Sequence, residues 1–406
     1  MRIGVFTLTV VLLLFSLAFL NSYWLGRLIR PERRRKFRVA YAILTLLSAA
    51  AYLGIRVAGQ FDGANNFSLA FYFGPFWTVL QLLLLLACPI SKLLTLLLER
   101  WNSSRNNLDT ADSSTLACDP GKPLMTRRAF LSYAAMAPPV AMTGINTLGL
   151  VDAETGVVLR RMDFEFAGLP AELDGLKIGH MTDVHIGPYV SVRDIQKMSA
   201  LLKQSAPDLL AITGDLVDDV RILPAAMSAM QPMLSALPLG AWFCMGNHEH
   251  LRGATPIRSV LQNFGINILD NQHRSLRFNG GKLSVAGVDY PMNVDAGARR
   301  LAAEQYLDVA CRSIPVEEFT LMLAHHPDFL PGCFARQVDL TLAGHTHGGQ
   351  VGWGQRSMFD FVYPYMRGIY RQKQSIGYVS SGAGHWLPFR LNCPPEVSLI
   401  TLRRKA

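Results

Sequence analysis

The sequence predicts an α/β protein: N-terminal transmembrane helices followed by a two-sheet α/β sandwich. Three observations lead there. Apolar residues concentrate before residue 100, in runs long enough to span a bilayer. From residue 155 onward, short apolar runs alternate with segments of helical periodicity. Five of those short runs end in polar clusters rich in Asp, His and Asn. Composition agrees with partial burial in lipid, since only 17% of the 406 residues are charged and the mean hydropathy is +0.21. Much of the net charge of +9 flanks apolar runs, so it reads as a topology signal before nucleic-acid affinity.

Residues 1–101 form the predicted membrane domain, with about three transmembrane helices. The first, residues 3–26, carries no charge, and its apolar core is too long for a cleaved signal peptide. Arg27, Arg30, Arg33, Arg34, Arg35, Lys36 and Arg38 follow and read as a cytoplasmic loop. The second span covers residues 39–53, reaching toward Val57 with Arg56 snorkelling near its end, and a polar loop follows at 59–66. The third starts at Phe67 and runs to Leu97, with Pro89 expected to break it and leave an interfacial helix at 90–101. Residues 102–128 read as a flexible linker, rich in Asn, Ser, Thr and Asp. Residues 129–151 are either a fourth apolar span or an export-signal-like segment, opened by the twin arginine Arg127-Arg128 before Phe130-Leu131. Both readings keep the arginines in the cytoplasm and the chain after residue 151 outside it.

The domain expected at 155–406 begins with an entry strand at 157–166. Strand-like runs at 176–181, 209–213, 241–245, 319–324 and 340–343 each precede a polar cluster. The clusters are Asp183-Val184-His185, Gly214-Asp215-Leu216-Val217-Asp218, Gly246-Asn247-His248-Glu249, His325 before His326-Pro327, and Gly344-His345-Thr346-His347. Helices are expected at 192–204, 222–237, 256–264 and 298–311, and further strands at 283–288, 376–380 and 397–402. Ligands of α/β sheets gather at strand carboxyl ends, so these clusters would meet on one rim. Asp, His and Asn are hard and borderline donors suited to Mn, Fe, Zn or Co, and none of the clusters contains Cys. There are more donors than one ion needs, which suggests two divalent ions sharing Asp215.

In order and spacing these five motifs resemble the calcineurin-like metallophosphoesterase superfamily, over about residues 155–405. The resemblance implies a two-sheet sandwich with helices on both outer faces. It implies one metal held by Asp183, His185, Asp215 and His347, and a second by Asp215, Asn247, His325 and His345. His248 is then the catalytic residue, protonating the leaving oxygen or steadying charge on the phosphorus centre. Gly344-His345-Thr346-His347-Gly348-Gly349-Gln350 and Pro394-Pro395-Glu396 look like the membrane-associated bacterial branch; with the apolar spans counted above, a multi-pass protein of the bacterial inner membrane is expected. Two subgroups fit poorly. Asp218 is followed by Asp219-Val220 rather than the Arg-Gly of phosphoprotein phosphatases, and no Tyr adjoins Asp215 as in purple acid phosphatases.

Each neighbouring residue has a plainer reading. Asp218 and Asp219 read as turn or capping residues, and Glu249 as a support for its loop. His180, His250, His273, His326 and His385 read as core, edge or surface histidines, with His250 and His385 able to line a substrate cleft. Phe359, Phe361, Tyr363, Tyr365 and Tyr370, with Arg367 and Arg371, read as a packed hairpin, as an amphipathic lip against a membrane or lipid tail, or, less in keeping with a membrane anchor, as a stacking surface for nucleic acid. Cys244, Cys311, Cys333 and Cys393 permit disulfides if the domain is exported. The expected protein is a membrane-anchored, two-metal hydrolase of a phosphodiester or pyrophosphate in a lipid or envelope component. A nuclease-like phosphodiesterase and a catalytically idle scaffold or metal sensor are the alternatives. The expected partners are a phosphoester substrate and the membrane, without nucleic acid; the oligomeric state is not fixed by the sequence.

Overall fold

The structure is a computed structural model, and it describes residues 2–58, 69–109, 127–292, 295–354 and 356–405. The expected loop at 59–66, the start of the third span at Phe67, and residues 110–126 of the expected linker with Cys118 lie outside the described residues. The chain divides into two compact units, a helical one up to Leu150 and a sheet-based one from Val151 onward.

The helical unit consists of α1 (Arg2–Arg27), α2 (Arg34–Ala58), α3 (Leu69–Asp109) and most of α4 (Arg127–Glu154). Each contains a stretch long and apolar enough to cross a membrane: Leu8–Arg27, Pro31–Gly54, Tyr72–Arg100 and Tyr133–Glu154. Their buried faces meet around Leu14, Ala18, Tyr41, Ala49, Trp77 and Leu84. Buried polar groups bond one another there: Asn21 Nδ2–H and the Tyr41 hydroxyl both donate to Gln81 Oε1, at 3.0 and 2.7 Å. Two expectations are corrected. Arg34, Arg35, Lys36 and Arg38 open α2 rather than lying in a loop. Pro89 does not end the third helix, which runs on to Asp109 inside the expected linker. The proline removes only its own N–H bond, whereas ending the helix there would strand several carbonyls among apolar residues.

The sheet-based unit follows from the strand-like runs. Its strands are β1 (Val158–Phe166), β2 (Lys177–Met181), β3 (Leu209–Thr213), β4 (Ala241–Cys244), β5 (Ile266–Ile268), β6 (Gln272–Phe278) and β7 (Gly281–Gly287). They continue with β8 (Phe319–Leu323), β9 (Leu340–Ala343), β10 (Gly352–Trp353), β11 (Arg356–Ser357), β12 (Gly368–Gln372), β13 (Ser375–Val379) and β14 (Glu396–Arg404). Two six-stranded sheets result, ordered β1-β14-β2-β3-β4-β5 and β12-β13-β9-β8-β7-β6, with β10 and β11 as a small ribbon. β2 through β5 are parallel to one another, as are β7, β8, β9 and β13.

Between the sheets lie Phe164, Ile178, Leu209, Trp242, Leu321 and Ile400. The other face of the first sheet is covered by α5 (Val192–Lys203), α6 (Leu223–Leu234), the short α7 (Asn247–Arg252) and α8 (Ala254–Asn263). Ile195, Met227 and Leu261 from these helices pack on Ile212 and Phe243. The second sheet is covered by α9 (Ala296–Ala310) and α10 (Leu330–Ala335), with Leu307 and Cys333 against Ala286 and Met322. Because both faces of β3, β8 and β9 are covered, their sequences read as mostly apolar runs, each with a single threonine. Cys244, Cys311, Cys333 and Cys393 are all unpaired thiols.

Candidate metal centre

The parallel strands all deliver their carboxyl ends to one rim. β2 leads into Asp183 and His185, β3 into Asp215 and Asp218, β4 into α7 with Asn247 and His248, β8 into His325, and β9 into His345 and His347. The turns are unusually tight. Asp183, His185, Asp215, His345 and His347 all adopt positive φ, between 49° and 72°. Non-glycine residues occupy that region at a cost, and clusters of such residues mark sites where surrounding structure imposes the geometry. Gly344 is required by crowding: a Cβ there would collide with Thr182 and the Asp183 carboxylate.

All eight predicted residues converge. Asp215 is central. Its Oδ1 accepts the His248 backbone N–H at 2.8 Å. Its Oδ2 lies 3.2 Å from His325 Nε2 and 3.9 Å from Nε2 of both His185 and His248. On one side, His185 Nε2 and His347 Nε2 lie 3.0 Å apart, with Asp183 Oδ1 3.5 Å from His347 Nε2. On the other, His325 Nε2 lies 3.1 Å from His345 Nδ1 and 3.2 Å from Asn247 Oδ1. Asp183–His185–His347 and Asp215–His325–His345 are each close enough to share one ion.

The donor chemistry fits divalent cations. The backs of two rings face oxygen atoms. His325 Nδ1–H donates to Thr213 O at 2.7 Å, and His185 Nδ1 faces Asp218 Oδ2 at 3.3 Å. Each ring therefore turns its Nε2 toward the centre, the orientation metal-ligating histidines adopt. Arg390, fully buried, lies 3.2 Å from His347 Nδ1 but also donates to Gly384 O at 2.6 Å and reaches Gly382 O at 3.4 Å. His347 keeps its Nε2 lone pair when Gly382 takes the second Arg390 hydrogen.

Burial shapes the charges. Burial pushes His345 down to about 3, helped by His325; burial, His185 and Arg390 hold His347 well below its ordinary value. Both rings are thus neutral, the form that binds metal. Burial alone would raise Asp215, but His325, His248 and His185 pull it well below the usual carboxylate range. Burial would lower His248, yet the Asp218 and Asp215 carboxylates leave it raised, which favours its protonated form.

Three residues of the site escaped the sequence reading. Asp218 is not a turn cap but a buried carboxylate: Oδ1 accepts His248 Nδ1–H at 2.5 Å and the Arg252 guanidinium at 3.1 Å, while Oδ2 faces His185. Arg252 stands one α7 turn beyond His248. Tyr290 places its ring 5.7–6.0 Å from His325, His326 and His345. Asp219 does brace its turn, by bonding Arg221. Glu249 supports the loops as expected, accepting the backbone N–H groups of Asp215, Leu216 and Gly246 at 2.7–2.8 Å.

Of the other histidines, His180 bonds Thr213, His250 pairs with Asp289, His273 bonds Ala310 O, and His385 lies buried beside Glu154. His326 is closer to the centre, its ring 4.3 Å from His345. The aromatic segment is a series of turns up to β12 rather than a hairpin. It meets the centre through Tyr363, whose hydroxyl donates to Asp328 and whose ring lies 6.2 Å from His326.

Residues 176–349 match the calcineurin-like phosphoesterase family. The chain thus carries a calcineurin-like phosphoesterase domain, whose strand-end residues are the ones gathered in this site. It is 30% identical over 272 residues to a metallophosphoesterase-named protein of Caenorhabditis elegans, covering 63% of this chain and 54% of that one. It is 28% identical over 243 residues to the uncharacterized metallophosphoesterase YkuE of Bacillus subtilis, 58% of this chain and 82% of that one. It is also 28% identical over 269 residues to a Danio rerio transmembrane protein with a metallophosphoesterase domain, 63% of this chain and 60% of that one. The chain thus spans about half the length of the worm relative, and its relatives are not confined to bacteria.

Proposed function

We propose that the sheet-based unit hydrolyses phosphoester bonds at a pair of divalent cations, and that its substrate is a phosphodiester or pyrophosphate carried on a lipid or envelope component. The observation that supports this most is the placing of Asp215 Oδ2 among Nε2 of His185, His248 and His325, one carboxylate oxygen shared by two donor clusters. Asp183, His185, Asp215 and His347 would hold one ion, and Asp215, Asn247, His325 and His345 the other. Bound there, such ions supply charge neutralisation at phosphoryl oxygens and an activated water. The protein's own part is positional. Asp218 and Thr213 O orient His185 and His325, and Glu249 clamps the loops of Asp215 and Gly246. His248, held by Asp218, presents a protonated Nε2 to the leaving oxygen.

The lipid part of the proposal is supported by the four apolar helices and by the transmembrane name of the zebrafish relative. The test is turnover of the purified full chain with Mn²⁺ on bis-p-nitrophenyl phosphate, p-nitrophenyl phosphate and a lipid pyrophosphate. The diester and the lipid pyrophosphate are expected to exceed the monoester; preference for the monoester would overturn the substrate class.

The arginine-rich segments at 27–38 and 127–128 favour a cytoplasmic side for both, which puts the chain after residue 151 across the membrane from them. Protease added to intact cells is then expected to cleave the sheet-based unit. Protection until the membrane is opened would reverse the orientation.

A further inference from the structure

The metal centre leaves one conspicuous surface unexplained. Trp353, Met358, Phe359, Phe361 and Val362 all point large apolar side chains into solvent, with Trp353 78% and Phe361 83% exposed. Scattered exposed apolar residues are ordinary, but five within ten positions are not. The patch adjoins the centre: Phe359 packs on Gly349, two residues beyond His347. Beside it opens a cleft of about 580 Å³ lined by Arg160, Arg356, Arg367, Asp360, Tyr370 and Glu396. Arg160 is neutralised by Glu396 at 2.7 Å, and Arg367 donates to the backbone carbonyls of Gly354 and Asn392. Arg356 is exposed on β11, between Trp353 and Met358, and forms no ion pair among the described residues.

We propose that this surface docks on a bilayer containing anionic phospholipid, with the aromatic side chains entering the interfacial layer and the arginine-lined cleft receiving lipid phosphates. Trp and Phe mixed with Arg is the composition of a membrane–water interface, where rings sit at headgroup depth and cations meet anionic headgroups. Three arginines face two carboxylates in the cleft, so the charge left over is positive and complements phosphate. The same chain carries four helices apolar enough to cross a membrane, which keeps lipid at high effective concentration around the surface. The consequence is that the rim of the metal centre lies next to headgroups rather than free in solution.

The inference does not depend on the phosphoester reading, because it is read by fluorescence and not by turnover. The full chain is reconstituted in nanodiscs of phosphatidylglycerol or of phosphatidylcholine, each with or without bromine-labelled acyl chains. Emission of the Trp353→Phe variant is subtracted from that of the unmodified chain, which isolates Trp353. In phosphatidylglycerol the difference spectrum is expected to be blue-shifted and to lose most of its intensity to brominated lipid. In phosphatidylcholine the loss is expected to be several-fold smaller, and Arg356→Glu should bring the phosphatidylglycerol signal down to that level. Both substitutions lie on exposed side chains, and unchanged melting in detergent verifies the fold. Trp353 that stays water-exposed in both discs would overturn the proposal. So would shielding that is indifferent both to lipid charge and to Arg356→Glu.

Discussion

Asp215→Asn is expected to lower turnover of bis-p-nitrophenyl phosphate by on the order of 10³-fold, and to lower bound metal from two ions per chain toward one or none. Removing a group that merely orients a ligand costs about 10–100-fold in affinity or activity. Asp215 should exceed that, because its Oδ2 faces Nε2 of His185, His248 and His325 at once. The amide keeps the shape and one oxygen, so the His248 backbone N–H can still be accepted. It loses the charge that offsets repulsion between paired cations, and if its NH2 turns toward His325 it meets a lone pair that cannot bond a metal at the same time. The fold should survive, since Asp215 carries no packing role that Asn cannot fill, and circular dichroism of the variant should match the parent. Metal content by mass spectrometry and kcat are read on the same sample. Full activity with two ions retained would remove Asp215 from the centre. A cellular role that persists after turnover has been lost would mark the protein as a scaffold rather than an enzyme.

The centre was readable in the sequence because parallel strands covered on both faces leave a simple trace. Leu209–Thr213 and Leu340–Ala343 are apolar at nearly every position and stop at a glycine, Gly214 or Gly344, before the first ligand-type residue. Strands at the margins leave no such trace. β6 is an edge strand with His273, Arg274 and Arg277 on it, and β12 carries Arg371 and Gln372 at the far edge, so neither reads as apolar or alternating. Pro89 misled for the opposite reason: its local effect is real but is outweighed by the apolar surroundings of α3.

What the sequence could not express is which side chains meet. Asp218, Arg252 and Tyr290 are ordinary residues until β3, α7 and the segment after β7 come together. Asp218 looked like a turn former because Asp after a strand commonly is one. Its distance of three residues from Asp215 was the available signal, since the intervening tight turn returns it to the same rim. The positive φ of five site residues is invisible for the same reason: nothing in Asp or His asks for it, and the surrounding loops impose it.

The Asp218 link also sets up the sharpest separation of roles. His248→Ala is expected to reduce kcat by about 10²–10³-fold, the range for loss of a positioned proton donor, with KM little changed. The loss should depend on the leaving group. p-Nitrophenol departs readily as an anion and needs little protonation, so its diester should suffer least; an alkyl phosphodiester, whose alkoxide is a far poorer leaving group, should suffer most. His248 stands outside both proposed donor sets, so both ions should remain bound in the variant. Asp218→Asn removes the acceptor of His248 Nδ1–H and also the partner of His185 Nδ1. It should therefore lose activity by about 10–100-fold and, unlike His248→Ala, lose metal as well. In the double variant the two losses should not add, because both act on one proton-delivery unit. An equal loss on good and poor leaving groups would assign His248 to steadying phosphoryl charge instead. Loss of metal in His248→Ala would make it a ligand, and the division between holding the ions and delivering the proton would fail.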